Sequence, residues 1–434
     1  MAETSIAANF VKTAFNRLDL SAVRAPLMLS LLNQMLTSGG NFLIGIYLAR
    51  TLPLEGFGLY GIGYGICTLY VGMGNAVIVT QMVVNMPDRE HEEKQRYAAK
   101  MLYAVLLLGG AMLVLTAAAS FLATMISPEF ANLLTTVAAV AITAALFLCH
   151  DFFVSYAYLI RKESLALVVN GVMMAVLFAG LALGKVVGIT LTAQKALLLY
   201  AFGVFAGSAI AYLASPLRLR GSTRNLKSDF LEAWRQGRWA LGGVGITWVQ
   251  SQTYTYVLAF FLGPAGVGQA NAARIFISPF SFLLPAINKV AIPRLADLRR
   301  SNPKKMLMVS WLLTAGMTLL ALLYSLILLV SLHYVAPKLL GRHDPVIESL
   351  VWVWCLVLVF QMLRSGGGVL LQIQRKFRIL TLVNIPSAVI TIAAAVALIA
   401  WLGAAGAIWG MVAGELVLLL LIWKEIWHGR AQYN

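Results

Sequence analysis

Long apolar stretches alternate with short polar ones along this chain, and a stretch of about 20 apolar residues is long enough to cross a bilayer as a helix. Twelve such stretches are legible, at 26–49, 57–84, 100–126, 131–158, 164–184, 190–214, 239–262, 269–289, 306–331, 346–370, 379–402 and 405–423. The segments between them are too short for a soluble domain, so any activity belongs to the bundle itself. The expected fold class is an all-α polytopic membrane protein of about 12 transmembrane helices. Composition agrees: 60% of the 434 residues are hydrophobic and 12% charged, with a mean hydropathy of +0.82, far above what a soluble domain keeps in solution.

One local pattern occurs twice. Residues 48–61 read LARTLPLEGFGLYG and residues 258–271 read LAFFLGPAGVGQAN. At an offset of 210 they share Leu48 with Leu258, Ala49 with Ala259, Leu52 with Leu262, Gly56 with Gly266 and Gly58 with Gly268. Each reads as a hairpin turn, between the first and second spans and between the seventh and eighth, with glycine permitting the tight reversal. The same offset lays the third span on the ninth and Arg161-Lys162 near Arg375-Lys376. Six spans per half is an even number, so both halves enter the membrane in the same direction. The expected architecture is two parallel six-helix lobes around a central cavity. The division is a cytoplasmic amphipathic segment at 1–25, lobes at 26–215 and 239–424, a basic linker at 216–238 and a tail at 425–434.

The net charge of +16 does not form a single patch, which argues against nucleic acid as a partner. With the N-terminus placed in the cytoplasm, 26 Lys and Arg fall inside against five outside (Arg50, Lys185, Lys195, Lys338 and Arg342). That asymmetry puts both termini in the cytoplasm. Phe10, Val11, Ala14, Phe15 and Leu18 recur at helical spacing opposite Lys12 and Arg17, as in a helix lying on the membrane face. A similar short helix is expected at Leu226, Phe230 and Trp234, just before the seventh span. Cys67, Cys149 and Cys355 all fall within spans without paired spacing, and read as small packing residues.

The stretch LGPAGVGQANAARIFISPF through VAIPRLADLRR, with Arg274, Pro279, Pro293, Leu295 and Ala296, resembles the seventh and eighth helices of the polysaccharide-transporter branch of the multidrug/oligosaccharidyl-lipid/polysaccharide exporter superfamily. The resemblance extends over nearly the whole chain in span count and layout. It implies a flippase of undecaprenyl-diphosphate-linked oligosaccharide in the bacterial inner membrane. Such a protein serves O-antigen, capsule or exopolysaccharide assembly by alternating access, and passes its product to polymerase and ligase proteins. It also implies a fold like those of lipid II flippases and multidrug and toxin extrusion antiporters.

An ionisable side chain at mid-bilayer costs about 2.5–3.5 kcal/mol, so each needs a partner, a cavity or a use. The four assigned to the membrane interior are Asp151, Arg274, Arg364 and Glu415. Arg274 follows the second turn and is expected at the outer end of the cavity with Arg50, where its planar fork suits a diphosphate. Gln250 and Asn41, on the leading helices of the two halves, are further candidates for the cavity wall. Asn33, Gln34, Ser38, Ser251 and Gln252 accompany them, and Gly39 and Gly40 suggest a bent first helix. Asp151 maps within one residue of Arg364 in the repeat, which suggests a gating ion pair across the cavity; a static pair within one lobe is the alternative. Glu415, on a Gly-rich last span, is the candidate for coupling to Na⁺ or H⁺, against a satisfied structural carboxyl.

Nucleotide-binding loops, metal motifs and a nucleophile with its base are all missing from the sequence, so neither a cofactor nor an enzymatic reaction is expected. A drug/cation antiporter of the same superfamily stays open as an alternative, although its cavity calls for acids rather than Arg274. A polysaccharide polymerase or glycosyltransferase calls for a large extracytoplasmic loop. The longest candidate, SLHYVAPKLLGRHDP, carries Asp344 alone.

Overall fold

The computed structural model describes residues 20–87, 89–126, 131–217, 226–374 and 376–429. Among these described residues twelve long helices form: α1 (Leu20–Thr51), α2 (Leu54–Asn85), α3 (His91–Ile126), α4 (Ala131–Leu159), α5 (Glu163–Val186), α6 (Ala193–Ala214), α7 (Leu226–Ile275), α8 (Ser278–Ser301), α9 (Pro303–Leu340), α10 (Pro345–Ile373), α11 (Phe377–Leu402) and α12 (Ala404–Gly429). Helices satisfy every backbone group within their own segment, which is what a lipid surrounding demands. Among the described residues, nine of them are apolar and long enough to cross a membrane. The other three, α1, α7 and α8, are the more polar helices that line the boundary between the lobes, as shown below.

Local chemistry sets the helix ends. The Asn302 side chain accepts from the Lys305 amide at 3.0 Å, with Pro303 in the first turn. Asp344 does the same for Val346 at 2.9 Å, ahead of Pro345. Gly341 closes α9 in the left-handed region, with φ of 68°. The expected short helix at Leu226, Phe230 and Trp234 is instead the start of α7, which continues without interruption to Gly263. There φ of 69° and ψ of −174° break it, so residues 264–275 together with α8 make up the eighth span. A second interruption at Phe276–Ile277 is stitched by the Tyr324 hydroxyl, which donates to the Phe276 carbonyl. Helix α1 is unbroken through Gly39 and Gly40; Gly40 makes room for the Met174 thioether rather than a bend. The amphipathic pattern of residues 10–18 lies outside the described residues.

The two lobes meet along α2 and α7. At the end bearing the two turns, a Cβ on Gly58 would lie 1.8 Å from the Pro264 carbonyl oxygen, and one on Gly268 would lie 2.0 Å from that of Leu54. Both pairs are related by the offset of 210, so the contact is reciprocal. These glycines serve close helix crossing within helices, not chain reversal; the reversal itself falls to Leu52–Pro53 in one copy and to Gly263 in the other. Toward the opposite end a Cβ on Gly237 would lie 2.7 Å from both the Ala76 oxygen and the Val77 Cα, where α2 widens into a π-turn at Asn75–Val79. Lys100 Nζ binds Asp229 at 2.6 Å nearby, tying α3 to the start of α7. At the turn end, Arg342 Nη2 donates to the carbonyls of Ala49 and Leu52, at 2.7 and 2.6 Å. The loop after α9 thus caps the last turn of α1 across the lobe boundary, where a cation also favours the helix dipole.

Candidate functional site

A cavity of about 420 Å³ lies between the lobes, walled by α1 and α2 on one side and by both arms of the α7 break on the other. Polar groups in its wall include Asn41, Thr68, Gln252, Thr255, Asn271, Arg274 and Ser278, set among Phe42, Phe57, Tyr60, Tyr64 and Tyr254. Arg274 is eleven residues beyond Gly263, about 16 Å along the helix, and so lies deeper than the outer end expected for it.

The surroundings of Arg274 are polar but carry no opposing charge. Its Nη1 donates to the Tyr254 hydroxyl at 2.9 Å, and that hydroxyl donates to Asn271 Oδ1 at 2.8 Å. The guanidinium carbon lies 5.4 Å from the centre of the Trp354 ring and 5.7 Å from that of Tyr254. Trp354 is itself fixed by its indole N–H on the Ala270 carbonyl at 3.1 Å. Among the described residues no carboxylate reaches Arg274. One neutral hydrogen bond and ring contacts worth about 0.5–2 kcal/mol hold the fork in place and leave its charge open to an anion.

A second cavity, of about 600 Å³, lies within the N-terminal lobe and includes Asn33, Gln34, Asn41, His150, Asp151, Tyr158, Asn170 and Tyr200. Asn41 lines both cavities, so α1 is their common wall. A hydrogen-bonded chain crosses this second cavity: His150 Nε2 to Asn170 Oδ1 at 3.0 Å, Asn170 Nδ2 to Asn33 Oδ1 at 2.9 Å, and Asn33 Nδ2 to the Tyr158 hydroxyl at 2.8 Å. The side chain of Asn75, from the π-turn, lies beside Asp151. Asp151 is the carboxylate of this cavity wall.

The remaining sequence candidates are placed differently from expectation. Arg364 does not pair with Asp151 in this conformation. Its Nε and Nη2 both donate to the Glu415 carboxylate, the second at 3.3 Å, and Gln361 Nε2 adds a third donor at 3.1 Å. Glu415 is therefore not a lone acid: it is 5% exposed and joins α10 to α12. Gln250 is also a link between helices, donating to Ser387 Oγ at 2.7 Å, while that hydroxyl donates to the Gly414 carbonyl. Arg50 is exposed at the turn end, its side chain against Gly341, and is absent from the described walls of both cavities. Of the proposed substrate residues, Arg274 and Asn41 reach the cavity between the lobes.

Tyr254, Asn271 and Trp354 were not singled out by sequence. A signal for two of them exists: Tyr254 is nine residues before Gly263 and Asn271 eight after it, so a hairpin sets them at nearly equal depth. Trp354 comes from α10 and has no such local marker.

Comparison with known proteins fits this geometry. The lipid II flippase MurJ in an inward closed conformation superposes with a TM-score of 0.72 at 11% identity, over 92% of this chain and 86% of that one. An inward-facing multidrug resistance MATE family transporter of the MOP superfamily gives 0.63 at 16% identity, over 92% and 94%. The amylovoran biosynthesis protein AmsL of Erwinia amylovora is 24% identical over 144 residues, 33% of this chain; the match spans about a third of that relative's length (36%). Residues 25–299, more than half of the chain, match the family described as Polysaccharide biosynthesis protein. The chain belongs to that polysaccharide biosynthesis protein family, built on a fold like that of MurJ and the MATE transporters.

Proposed function

We propose that this protein is a flippase that carries a lipid-linked oligosaccharide with a diphosphate linkage across the bacterial inner membrane by alternating access between its lobes. The observation that carries this reading is Arg274: a guanidinium in the cavity between the lobes, held by Tyr254 and met by no carboxylate among the described residues. A diphosphate supplies acidic oxygens that a planar fork binds bidentately. Tyr60 and Tyr64 offer apolar ring faces, and Asn41, Gln252 and Asn271 offer amides, which suits sugars with their apolar faces and hydroxyl edges. The volume falls within the roughly 300–1,000 Å³ of sites that hold small molecules, enough for a head group while the polyprenyl tail stays in the bilayer.

The positive-inside pattern supports cytoplasmic termini and an extracytoplasmic turn end. Moving about two negative charges outward across a cytosol-negative membrane is favourable by roughly 4.6 kcal/mol per 100 mV, so the protein needs chiefly to lower the solvation barrier. A coupling ion, Na⁺ or H⁺, fits Asp151 in the N-terminal cavity better than the thrice-bonded Glu415. The same carboxylate is the observation that favours a second reading, ion-coupled antiport of a cationic small molecule. Polymerase and ligase proteins are the proposed downstream partners.

The deciding experiment measures outward exposure of undecaprenyl-diphosphate oligosaccharide in proteoliposomes. Arg274→Ala is expected to reduce it tenfold or more, about 1.4 kcal/mol in the barrier. Unchanged flipping in the variant removes this reading, and uptake of an organic cation dependent on Asp151 installs the second.

A further inference from the structure

His343 comes ten positions after His333 and Glu348 five after that, a spacing that matches no metal motif on a helix or loop. The fold nevertheless brings the three together. His333 is two turns from the end of α9, His343 lies in the loop after Gly341, and Glu348 is in the first turn of α10. One possible ligand atom from each lies within 4.8 Å of the others. We propose that these side chains bind a divalent transition-metal ion of the zinc type, and that the ion fixes the loop carrying Arg342 in the position where it caps α1.

The donor set is two imidazoles and a carboxylate, which suits Zn²⁺ and leaves one coordination position for water, whereas Mg²⁺ and Ca²⁺ prefer oxygen alone. Zinc bonds of about 2.0–2.1 Å place tetrahedral ligand atoms about 3.4 Å apart. His343 Nε2 already lies 3.6 Å from Glu348 Oε1, and the two imidazole rings are centred 5.5 Å apart, so small side-chain rotations complete the site. An independent observation points the same way. Glu348 Oε1 is itself shielded, although its side chain is 21% exposed, and apart from His343 it meets no hydrogen-bond donor among the described residues, whereas buried polar atoms are normally partnered. Both histidines are exposed, which gives an ion access.

The position carries a consequence for the lobes. Arg342 precedes His343 and makes the two hydrogen bonds to Ala49 and Leu52. An ion held by α9, the loop and α10 together ties that loop at three points and opposes release of the cap, so it favours the conformation closed at the turn end.

The test needs no transport assay and uses the purified full-length protein in detergent with Zn²⁺ as the probe. Calorimetric titration is expected to show one Zn²⁺ per chain. His333→Ala and Glu348→Gln should each weaken binding about tenfold or more, His428→Ala should not, and Mg²⁺ should not compete. Each variant's melting temperature without metal checks that it is folded. Hydrogen exchange reads the second clause: Zn²⁺ is expected to slow the amides of residues 341–350 in the wild type. Equal Zn²⁺ affinity in wild type, His333→Ala and Glu348→Gln, or equal competition by Mg²⁺, overturns the site. Tight binding without slowed exchange overturns the effect on the loop.

Discussion

Gly58 and Gly268 stand face to face across the boundary between the lobes: a Cβ added to Gly58 would lie 2.9 Å from the Gly268 nitrogen and 1.8 Å from the neighbouring Pro264 oxygen. The obstacles are backbone atoms, which cannot rotate away as a flexible side chain does. Gly58→Ala therefore has to push α2 and α7 apart, and overpacking of this kind costs about 1–3 kcal/mol. The expected result is a shift away from the conformation closed at the turn end. Thiol labelling of a cysteine placed at Ser278, on the cavity wall, is expected to speed up from that end in Gly58→Ala and in Gly268→Ala. Gly56→Ala, whose Cβ meets only ordinary contacts from 3.6 Å outward, should leave labelling unchanged.

Arg342 closes the same end by hydrogen bonding. Arg342→Ala leaves the carbonyls of Ala49 and Leu52, at and just past the end of α1, without their donor, a loss of about 1.5–3 kcal/mol for each bond to a charged group at most, and less where water reaches them. Faster labelling at the same cysteine is expected, with melting little changed because the apolar core shared by the two lobes does not include Arg342. A large fall in melting temperature without faster labelling would show that the contact holds the fold and not the conformation.

The Arg364–Glu415 pair has the opposite signature. Removing one partner of a buried pair costs up to about 3–5 kcal/mol, reduced here because the Arg364 side chain is 29% exposed. Glu415→Gln is expected to lower the melting temperature while leaving any ion dependence of transport in place. The double change Arg364→Met with Glu415→Leu should recover much of the lost stability. Loss of ion dependence in a well-folded Glu415→Gln protein would return the coupling role to Glu415.

Asp151→Asn should show the converse: near-normal melting, since the amide still fits beside Asn75 and the cavity, with loss of any Na⁺ or H⁺ dependence. Transport measured against opposing Na⁺ and pH gradients separates the two cases.

The helices and their pairing into two parallel halves were legible because most spans announce themselves through about 20 apolar residues and several turns through glycine or proline. Arg274 was legible because a charge in a span demands an explanation. What sequence could not show were the partners. Glu415 is 51 residues from Arg364, and Gln250 is 137 from Ser387, and nothing local in either span encodes which neighbouring helix it will touch. The repeat pointed Asp151 toward Arg364 by register alone, but equivalent depth in two halves does not bring side chains into contact. The glycines of the repeated turn show a related limit. Their chemistry suggested chain reversal, whereas their use is to let two helices of different lobes approach within backbone distance. His333, His343 and Glu348 carry no local signal because they converge only after the chain turns at Gly341.

The π-turn of α2 places three successive residues in two different settings. Asn75 lies beside Asp151 of the N-terminal cavity, while the Ala76 oxygen and the Val77 Cα form the surface on which Gly237 of the other lobe rests. A single peptide unit thus separates the neighbour of an ionisable group from the seam of the molecule. Asp151 and the resting surface of α7 therefore share one short stretch of α2 backbone, the stretch where its helical hydrogen bonding changes register.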